Sequence, residues 1–261
     1  MISITDLKRM KIRGEKFTAL TAYDYSFAKI IERAGIEIIL IGDSLGNVCQ
    51  GHDTTIPVSI DDMVYHTGSV ARGAKEVFLI ADMPFMSYKT THNALKNAAI
   101  LMQSGAKMVK LEGGQWLSET IYQLSERGIP VCGHLGLMPQ SVHQLGGYAI
   151  QGANSKAADK IVKDAKMLEQ AGAQLLVVEC IPSSLSALIT KNLKIPVIGI
   201  GAGPSTDAQI LVLYDILGIS AQIPKFSRNF LLDNNSILSA IQSYASAVRD
   251  STFPTSEHYV P

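Results

Sequence analysis

Ionisable side chains recur at the carboxyl ends of short apolar runs in this chain. Each of five successive runs carries at least one of them at or near its last residue. The residues are Asp43, Asp82, Lys110, Glu112, His134 and Glu179. A scatter of purely structural charges would not favour the same end of successive segments. We therefore expect these side chains to meet at one end of a parallel sheet or barrel.

The run 108–112 indicates how such side chains are oriented. Lys110 and Glu112 alternate with Val109 and Leu111, and alternate residues of a strand point to opposite faces. Because the apolar face must meet the covering helices, we expect the lysine and the glutamate to point inward. Charges buried there must be paired or must bind a metal ion, since an isolated buried charge is too costly.

The charges at these positions do not balance. Four of the residues are carboxylates and one is a lysine, a formal excess of three negative charges. Crowded carboxylates hold protons more tightly, whereas a divalent cation would neutralise the excess directly. The candidate ligands all offer oxygen atoms, which favours Mg²⁺ over Zn²⁺. His134 is interpreted as a hydrogen-bonded neighbour of the site rather than as a ligand.

Each acidic or basic residue also has a purely structural interpretation. Asp43 is equally compatible with capping a helical turn, and Asp82 with an ordinary loop position. Lys110 and Glu112 could form an ion pair that only fills the barrel, and Glu179 could pair with Lys110. The group of carboxylates is a stronger indication of chemistry than any single member.

Seven apolar runs of strand length alternate with longer amphipathic segments, a pattern typical of parallel strands covered by helices. The predicted strands are Phe17–Tyr23, Glu37–Asp43, Val77–Pro84, Met108–Gly113, Pro130–Gly136, Leu175–Cys180 and Pro196–Gly203. The predicted helices are Tyr25–Ala34, Ile60–Ala74, His92–Ser104, Trp116–Arg127, Lys156–Ala171, Ser184–Lys191 and Asp207–Leu213. An eighth strand is predicted near Leu217–Ala221, with a closing helix over Ser236–Arg249.

This alternation predicts an α/β fold, a (β/α)8 TIM barrel that forms a single domain over residues 1–261. The length suits one such barrel better than two average domains. An open doubly wound sheet shows the same alternation and is the alternative architecture. The barrel is favoured because no GxGxxG motif follows the first strand.

Composition limits the classes of function. Apolar residues make up 47% of the chain, which allows a large core, and its 23 basic and 23 acidic residues cancel without a basic run. Nucleic-acid binding is therefore not expected, and the apolar runs are too short to span a membrane. The amino terminus lacks the order of a secretion signal, and three cysteines without a CxxC pair argue against a disulfide framework. A cytoplasmic location is expected.

The same residues lie in segments that resemble the ketopantoate hydroxymethyltransferase family. The resemblance covers almost the whole chain and depends on many short segments in the same order and spacing. The segments include TAYDYSFA (21–28), GDSLG (42–46), QGHDTT (50–55), ADMPFMSY (81–88), MVKLEGG (108–114), PVCGHLGL (130–137), PQSV (139–142), AGAQLLVVEC (171–180), IPVIGIGAG (195–203) and IPKF (223–226). The chain departs from the family pattern at Met138, at 220–222 and over 258–261, where no presumed chemical group lies.

The resemblance implies a (β/α)8 barrel that requires Mg²⁺ and 5,10-methylenetetrahydrofolate. The implied reaction transfers a hydroxymethyl group to 3-methyl-2-oxobutanoate through a Mg²⁺-stabilised enolate, giving ketopantoate for pantothenate and coenzyme A synthesis. The implied roles are metal binding for Asp43, Asp82 and Glu112, contact with the 2-oxo acid for Asp43, Ser44, Asp82 and Lys110, and proton acceptance for Glu179. The resemblance also implies a homo-oligomer, described for the family as a decamer.

Two other functions compete with this one. A Mg²⁺ lyase or mutase of the isocitrate lyase and phosphoenolpyruvate mutase group would share the barrel and the enolate chemistry. No KKCGH-type cysteine loop is present, and dependence on folate would separate the two activities. A barrel kept only for binding or assembly would be expected to have lost at least one carboxylate, whereas all four are present.

Overall fold

Eight parallel strands close into a barrel in the computed structural model, which describes all 261 residues. The strands are β1 (Phe17–Thr21), β2 (Ile38–Ile41), β3 (Phe78–Asp82), β4 (Met108–Glu112), β5 (Val131–Gly136), β6 (Leu175–Glu179), β7 (Val197–Ile200) and β8 (Ala208–Leu211). Neighbours in the barrel are consecutive in the chain, and β8 pairs back onto β1. The predicted (β/α)8 barrel is confirmed, and the open doubly wound sheet is excluded.

Helices cover the outside of this barrel and one lies ahead of its first strand. They are α1 (Ile4–Arg13), α2 (Tyr25–Ala34), α3 (Leu45–Val48), α4 (Ile60–Gly73), α5 (Thr91–Gln103), α6 (Ser118–Ser125), α7 (Val142–Leu145), α8 (Ser155–Gln170), α9 (Ser183–Asn192), α10 (Leu213–Ile216) and α11 (Ile237–Arg249). Short 3-10 turns occupy Gln115–Leu117 and Pro139–Ser141. None of the helices is both long enough and apolar enough to cross a bilayer.

The strands are buried on both faces, as expected for a sheet with helices outside and packed side chains within. Every strand residue is buried except Glu179, the last residue of β6. The helix ends follow local sequence signals. Asp24 caps α2 by accepting a hydrogen bond from the Phe27 amide, and Gly35 ends it in the left-handed conformation at φ 82°.

The prediction for the eighth strand is wrong. The segment Ala208–Leu211, expected to be helical, forms β8 and pairs with both β7 and β1. The connection 201–207 contains no helix, so the regular alternation of strand and helix fails between β7 and β8. The segment Leu217–Ala221, predicted as the strand, forms turns and bends. An apolar stretch next to two unpaired strand edges gains more hydrogen bonds as a strand than as an isolated helical turn.

Two helices contact the barrel where it closes and at its amino end: α11 at the junction of β1 and β8, and α1 at the amino end. The closing helix α11 lies where it was predicted, and its buried Tyr244 hydroxyl lies within hydrogen-bond distance of the carbonyls of Ala19 in β1 and Gln209 in β8. The unpredicted α1 places Lys11 2.7 Å from Asp207, immediately before β8. Thus α11 secures the junction of the first and last strands, and α1 lies at the amino end of the barrel.

Candidate active site

The carboxyl ends of the strands surround a cavity of about 970 Å³. All seven residues predicted for the site line this one cavity. They are Asp43, Ser44, Asp82, Lys110, Glu112, His134 and Glu179. The convergence expected from their positions at the strand ends is therefore confirmed.

Lys110 lies at the centre of the anionic cluster. The parallel register sets Asp82 of β3 beside Lys110 of β4, and Lys110 Nζ lies 2.7 Å from Asp82 Oδ1 and 3.8 Å from Glu112 Oε1. Burial opposes the charge of this lysine, but Asp82, Glu112 and Asp43 outweigh that effect and raise its pKa. The ammonium group stays protonated, and its predicted inward orientation is confirmed.

His134 bridges two carboxylates from the strands on either side of β5. Its Nδ1 lies 3.2 Å from Glu112 Oε1, and its Nε2 lies 3.2 Å from Glu179 Oε2. The distance between Nε2 and Glu179 is short enough for an ion pair, but the angles at these atoms do not meet those of a hydrogen bond. Burial and the Lys110 charge oppose protonation, yet the two glutamates outweigh them and raise the pKa of His134 to about 9.

Glu179 has its counter-charge on the neighbouring strand. Its own strand neighbours, Val178 and Cys180, carry no charge, whereas His134 lies on β5. The two strands come close at their tips, where Gly136 pairs with Glu179. A side chain at position 136 would collide with the Glu179 backbone. Glu179 pairs with His134 rather than with Lys110, so its structural interpretation as a partner of that lysine is wrong.

The protonated histidine also changes the charge balance. Lys110 and a charged His134 together leave the four carboxylates with a formal excess of two negative charges. The count of three made from the sequence omitted the imidazolium. The imidazolium therefore reduces the negative excess of the site but does not cancel it.

Asp43 and Asp82 each have one carboxylate oxygen that accepts no hydrogen bond from the protein. The Asp43 amide donates to Asp82 Oδ2 at 3.0 Å, and Gln140 Nε2 donates to Asp43 Oδ2 at 2.8 Å. No hydrogen bond reaches Asp43 Oδ1, and the buried Asp82 Oδ1 has only the ion pair with Lys110. Burial, with Asp82 and Glu112 nearby, raises the pKa of Asp43 well above its usual range. Asp43 caps no helix, so that structural interpretation is wrong.

The two aspartates suit an open Mg²⁺ site, in which the protein supplies few of the ligands, better than a site closed by protein side chains alone. No group of three or more histidine, cysteine, aspartate or glutamate side chains is arranged to hold a metal ion by itself. Glu112 is engaged at both oxygens, by His134 at Oε1 and by the Gln140 amide at Oε2. Mg²⁺ usually binds one or two carboxylates and keeps waters or substrate oxygens as its other ligands. Asp43 and Asp82 meet that requirement, and the assignment of Glu112 as a third ligand stays a prediction.

Ser44 is held from behind by a tyrosine. Its hydroxyl lies 2.8 Å from the hydroxyl of Tyr23, which is buried beneath it. Burial raises the pKa of Tyr23, so its phenol stays neutral and able to donate. This contact fixes the Ser44 hydroxyl at the cavity wall, and the contact with the 2-oxo acid that the family resemblance implies for Ser44 stays a prediction.

Sequence reasoning missed two buried residues that support the site. Gln140 contacts Asp43 and Glu112, and the Tyr88 hydroxyl donates to Gln140 Oε1 at 2.6 Å. Both lie in segments that carried the family resemblance, ADMPFMSY and PQSV, which was the available signal. Neither is charged, so a search for ionisable groups passed over them.

Comparison with known proteins identifies the family. A family model described as ketopantoate hydroxymethyltransferase matches residues 1–256. A 3-methyl-2-oxobutanoate hydroxymethyltransferase from Shewanella sp. (strain MR-4) is 58% identical over 258 residues, covering 98% of this chain and 98% of the relative.

Solved structures with similar folds are more distant in sequence. A phosphonopyruvate hydrolase in complex with oxalate and Mg²⁺ aligns with a TM-score of 0.63 at 15% identity, over 99% of this chain and 93% of that chain. A 2,3-dimethylmalate lyase of the PEP mutase/isocitrate lyase superfamily aligns with a TM-score of 0.59 at 16% identity, over 81% of each chain. These likenesses concern the barrel alone, whereas the match in sequence extends over almost every residue. The chain belongs to the ketopantoate hydroxymethyltransferase family.

Proposed function

We propose that this enzyme transfers a hydroxymethyl group from 5,10-methylenetetrahydrofolate to 3-methyl-2-oxobutanoate, giving ketopantoate for pantothenate and coenzyme A synthesis. The observation that carries the proposal is the convergence of Glu179, Lys110 and the Asp43–Asp82 pair in one cavity. The family membership supports the same reaction. A barrel kept only for binding is disfavoured, because all four carboxylates meet at this cavity.

The chemistry requires removal of a weakly acidic proton and stabilisation of the resulting negative charge. When bound at Asp43 and Asp82, with Glu112 as the predicted third ligand, Mg²⁺ would supply Lewis-acid stabilisation to the ketone and carboxylate oxygens of the acid. Lys110, which stays protonated among its carboxylates, supplies a second positive charge beside the substrate. The Ser44 hydroxyl, held by Tyr23, offers a hydrogen bond to the same acid.

Glu179 is the proposed proton acceptor. It is the one strand residue that is not fully buried, and its side chain is 12% exposed to the cavity. Asp43 and Asp82 are committed to the cation, and both oxygens of Glu112 are engaged by protein donors. Glu179 has one charged protein partner, His134, at an ion-pair distance of 3.2 Å. A base needs to lie within about 3 Å of the proton, or one water away, in the bound complex.

The bond changes follow from that assignment. The C3–H bond breaks, its proton passes to Glu179, and its electron pair delocalises onto the ketone oxygen. The methylene carbon of the folate is bonded to two nitrogens, and both bonds must break. Carbon C3 forms a bond to this carbon as one C–N bond breaks, and a water oxygen forms a bond to it as the other C–N bond breaks. The C3 proton and one proton of the water end on the two nitrogens, so the products are ketopantoate and tetrahydrofolate.

The size of the cavity supports a second, larger substrate. Its volume of about 970 Å³ lies near the upper end of the range for ligand pockets, roughly 300–1,000 Å³. A five-carbon acid at Lys110 would fill only a part of it. The outer wall, formed by residues 219–226 with Tyr148 and Ile150, leaves room for the folate.

The test is a coupled assay of ketopantoate formation from 3-methyl-2-oxobutanoate with Mg²⁺, with and without methylenetetrahydrofolate. We expect product only when the folate is present. Folate-independent consumption of a 2-oxo acid or its adduct would instead indicate a lyase or mutase. The proposal would be overturned if no ketopantoate formed with the folate present.

A further inference from the structure

A buried glutamine, Gln140, lies behind two carboxylates that line the cavity, Asp43 and Glu112. Gln140 belongs to the 3-10 turn Pro139–Ser141, which follows β5, and is 5% exposed. It does not line the cavity itself. Its contacts therefore concern the protein groups of the site, not the substrate.

The side chain and backbone of Gln140 reach the ends of three strands. Its Nε2 donates to Asp43 Oδ2 at 2.8 Å, just beyond β2, and to the Met83 carbonyl at 3.0 Å, just beyond β3. Its backbone amide donates to Glu112 Oε2 of β4 at 3.1 Å. The Tyr88 hydroxyl donates to Oε1 at 2.6 Å and so fixes which end of the amide faces Asp43.

We infer that Gln140 is a positioning residue, which sets the relative orientation of Asp43 and Glu112 and thereby forms the cation and substrate site. This inference rests on the proposed function, because Gln140 acts through Asp43. Asp43 and Glu112 repel one another, and no other side chain donates a hydrogen bond to Asp43. With the Nε2 donor removed, Asp43 can rotate away from Asp82, and a buried carboxylate oxygen loses its partner.

A second buried glutamine provides a matched control for burial and hydrogen bonding. Gln209 in β8 is 4% exposed, and its Nε2 also donates twice, to the Gly203 carbonyl and to Thr206 Oγ1. It contacts no carboxylate of the site. Loss of its amide should affect stability alone.

The experiment compares Gln140→Met, Gln140→Glu, Tyr88→Phe and Gln209→Met with the wild-type enzyme. The measurements are thermal unfolding, binding of Mn²⁺ alone by electron paramagnetic resonance, binding of 3-methyl-2-oxobutanoate with Mg²⁺ by calorimetry, and steady-state kinetics. For Gln140→Met we expect metal and acid binding weakened about tenfold or more, since an unpaired buried charged acceptor typically costs more than a neutral one. Gln140→Glu should weaken both further, because it adds a carboxylate next to Asp43.

Tyr88→Phe removes only the hydroxyl that orients the amide, so it should fold and show a smaller loss of the same two affinities. Gln209→Met should keep both affinities and lose only thermal stability. Metal and acid affinities of Gln140→Met equal to those of the wild type would overturn the inference, as would an equal loss in Gln209→Met. If Gln140→Met and Gln140→Glu do not fold, unchanged affinities in Tyr88→Phe would overturn it.

The proposed function has a separate outcome in this design. Wild-type enzyme that binds Mn²⁺ but forms no ketopantoate would overturn the function, and the Mn²⁺ titration of the variants would still decide the role of Gln140. Wild-type enzyme that binds neither metal nor acid would overturn both.

Discussion

Replacing Lys110 with methionine should lower both stability and catalytic efficiency, and a divalent cation should restore only the stability. Lys110 Nζ lies 2.7 Å from Asp82 Oδ1 and 3.8 Å from Glu112 Oε1, and these side chains are at most 5% exposed, so solvent does not screen the pair. Removing one partner of a buried ion pair costs about 3–5 kcal/mol. At about 2–4 °C per kcal/mol, that corresponds to a fall in Tm of roughly 6–20 °C in metal-free buffer.

The cation should separate the two roles of this lysine. Mg²⁺ can neutralise Asp82 in place of the ammonium group, so Tm should recover in part. It cannot replace the second positive charge beside the substrate, so kcat/KM should stay low in the folded, Mg²⁺-loaded variant. Calorimetric unfolding with and without chelator, and kinetics on the same preparation, measure both effects.

Lys11→Met is the control. Lys11 forms an ion pair of the same length, 2.7 Å, with Asp207 at the amino end of the barrel. Its removal should lower Tm without any response to Mg²⁺ and without loss of kcat/KM. Wild-type kcat/KM in folded Lys110→Met would reduce this lysine to a structural counter-charge, and an unchanged Tm in metal-free buffer would refute the ion-pair reasoning.

Three further predictions follow from the site and its surroundings. Chelation should abolish turnover and Mg²⁺ should restore it, whereas full activity in metal-free buffer would exclude the proposed ion. Asp43→Ala and Asp82→Ala should weaken Mn²⁺ and 2-oxo acid binding together in calorimetry, and loss of one without the other would contradict a shared site. Burial raises the pKa of Asp215, so its ionisation costs folding free energy as pH rises above about 4. Asp215→Asn should therefore gain Tm relative to the wild type as the pH rises above about 4, and a Tm difference independent of pH would contradict that sign.

Much of this architecture follows from local sequence signals. The apolar runs that became β1 to β7 have strand length and lie between amphipathic segments, and the period of two placed Lys110 inside the barrel. The eighth strand was misplaced because it follows β7 without a helix. The run Ala208–Leu211 becomes a strand only because β7 and β1 offer it two free edges, and no local signal encodes those edges.

The contacts between strands were the harder part of the site to predict. The sequence placed His134 and Glu179 at strand ends, but their 3.2 Å contact depends on the register of β5 against β6. Gln140 was missed for a different reason. Its role depends on reaching Asp43, which is 97 residues away in the chain, and a neutral amide carries no sign of such a partner.

Exchange of the C3 hydrogen of 3-methyl-2-oxobutanoate in D₂O tests the central claim most directly. Wild-type enzyme with Mg²⁺ should exchange this hydrogen, measured by proton NMR with and without tetrahydrofolate. Glu179→Gln keeps the size of the side chain and removes its basicity, so it should lose both exchange and turnover and still bind the acid in a Mg²⁺-dependent way by calorimetry. Exchange by Glu179→Gln at close to the wild-type rate would assign the base to another residue and contradict the account.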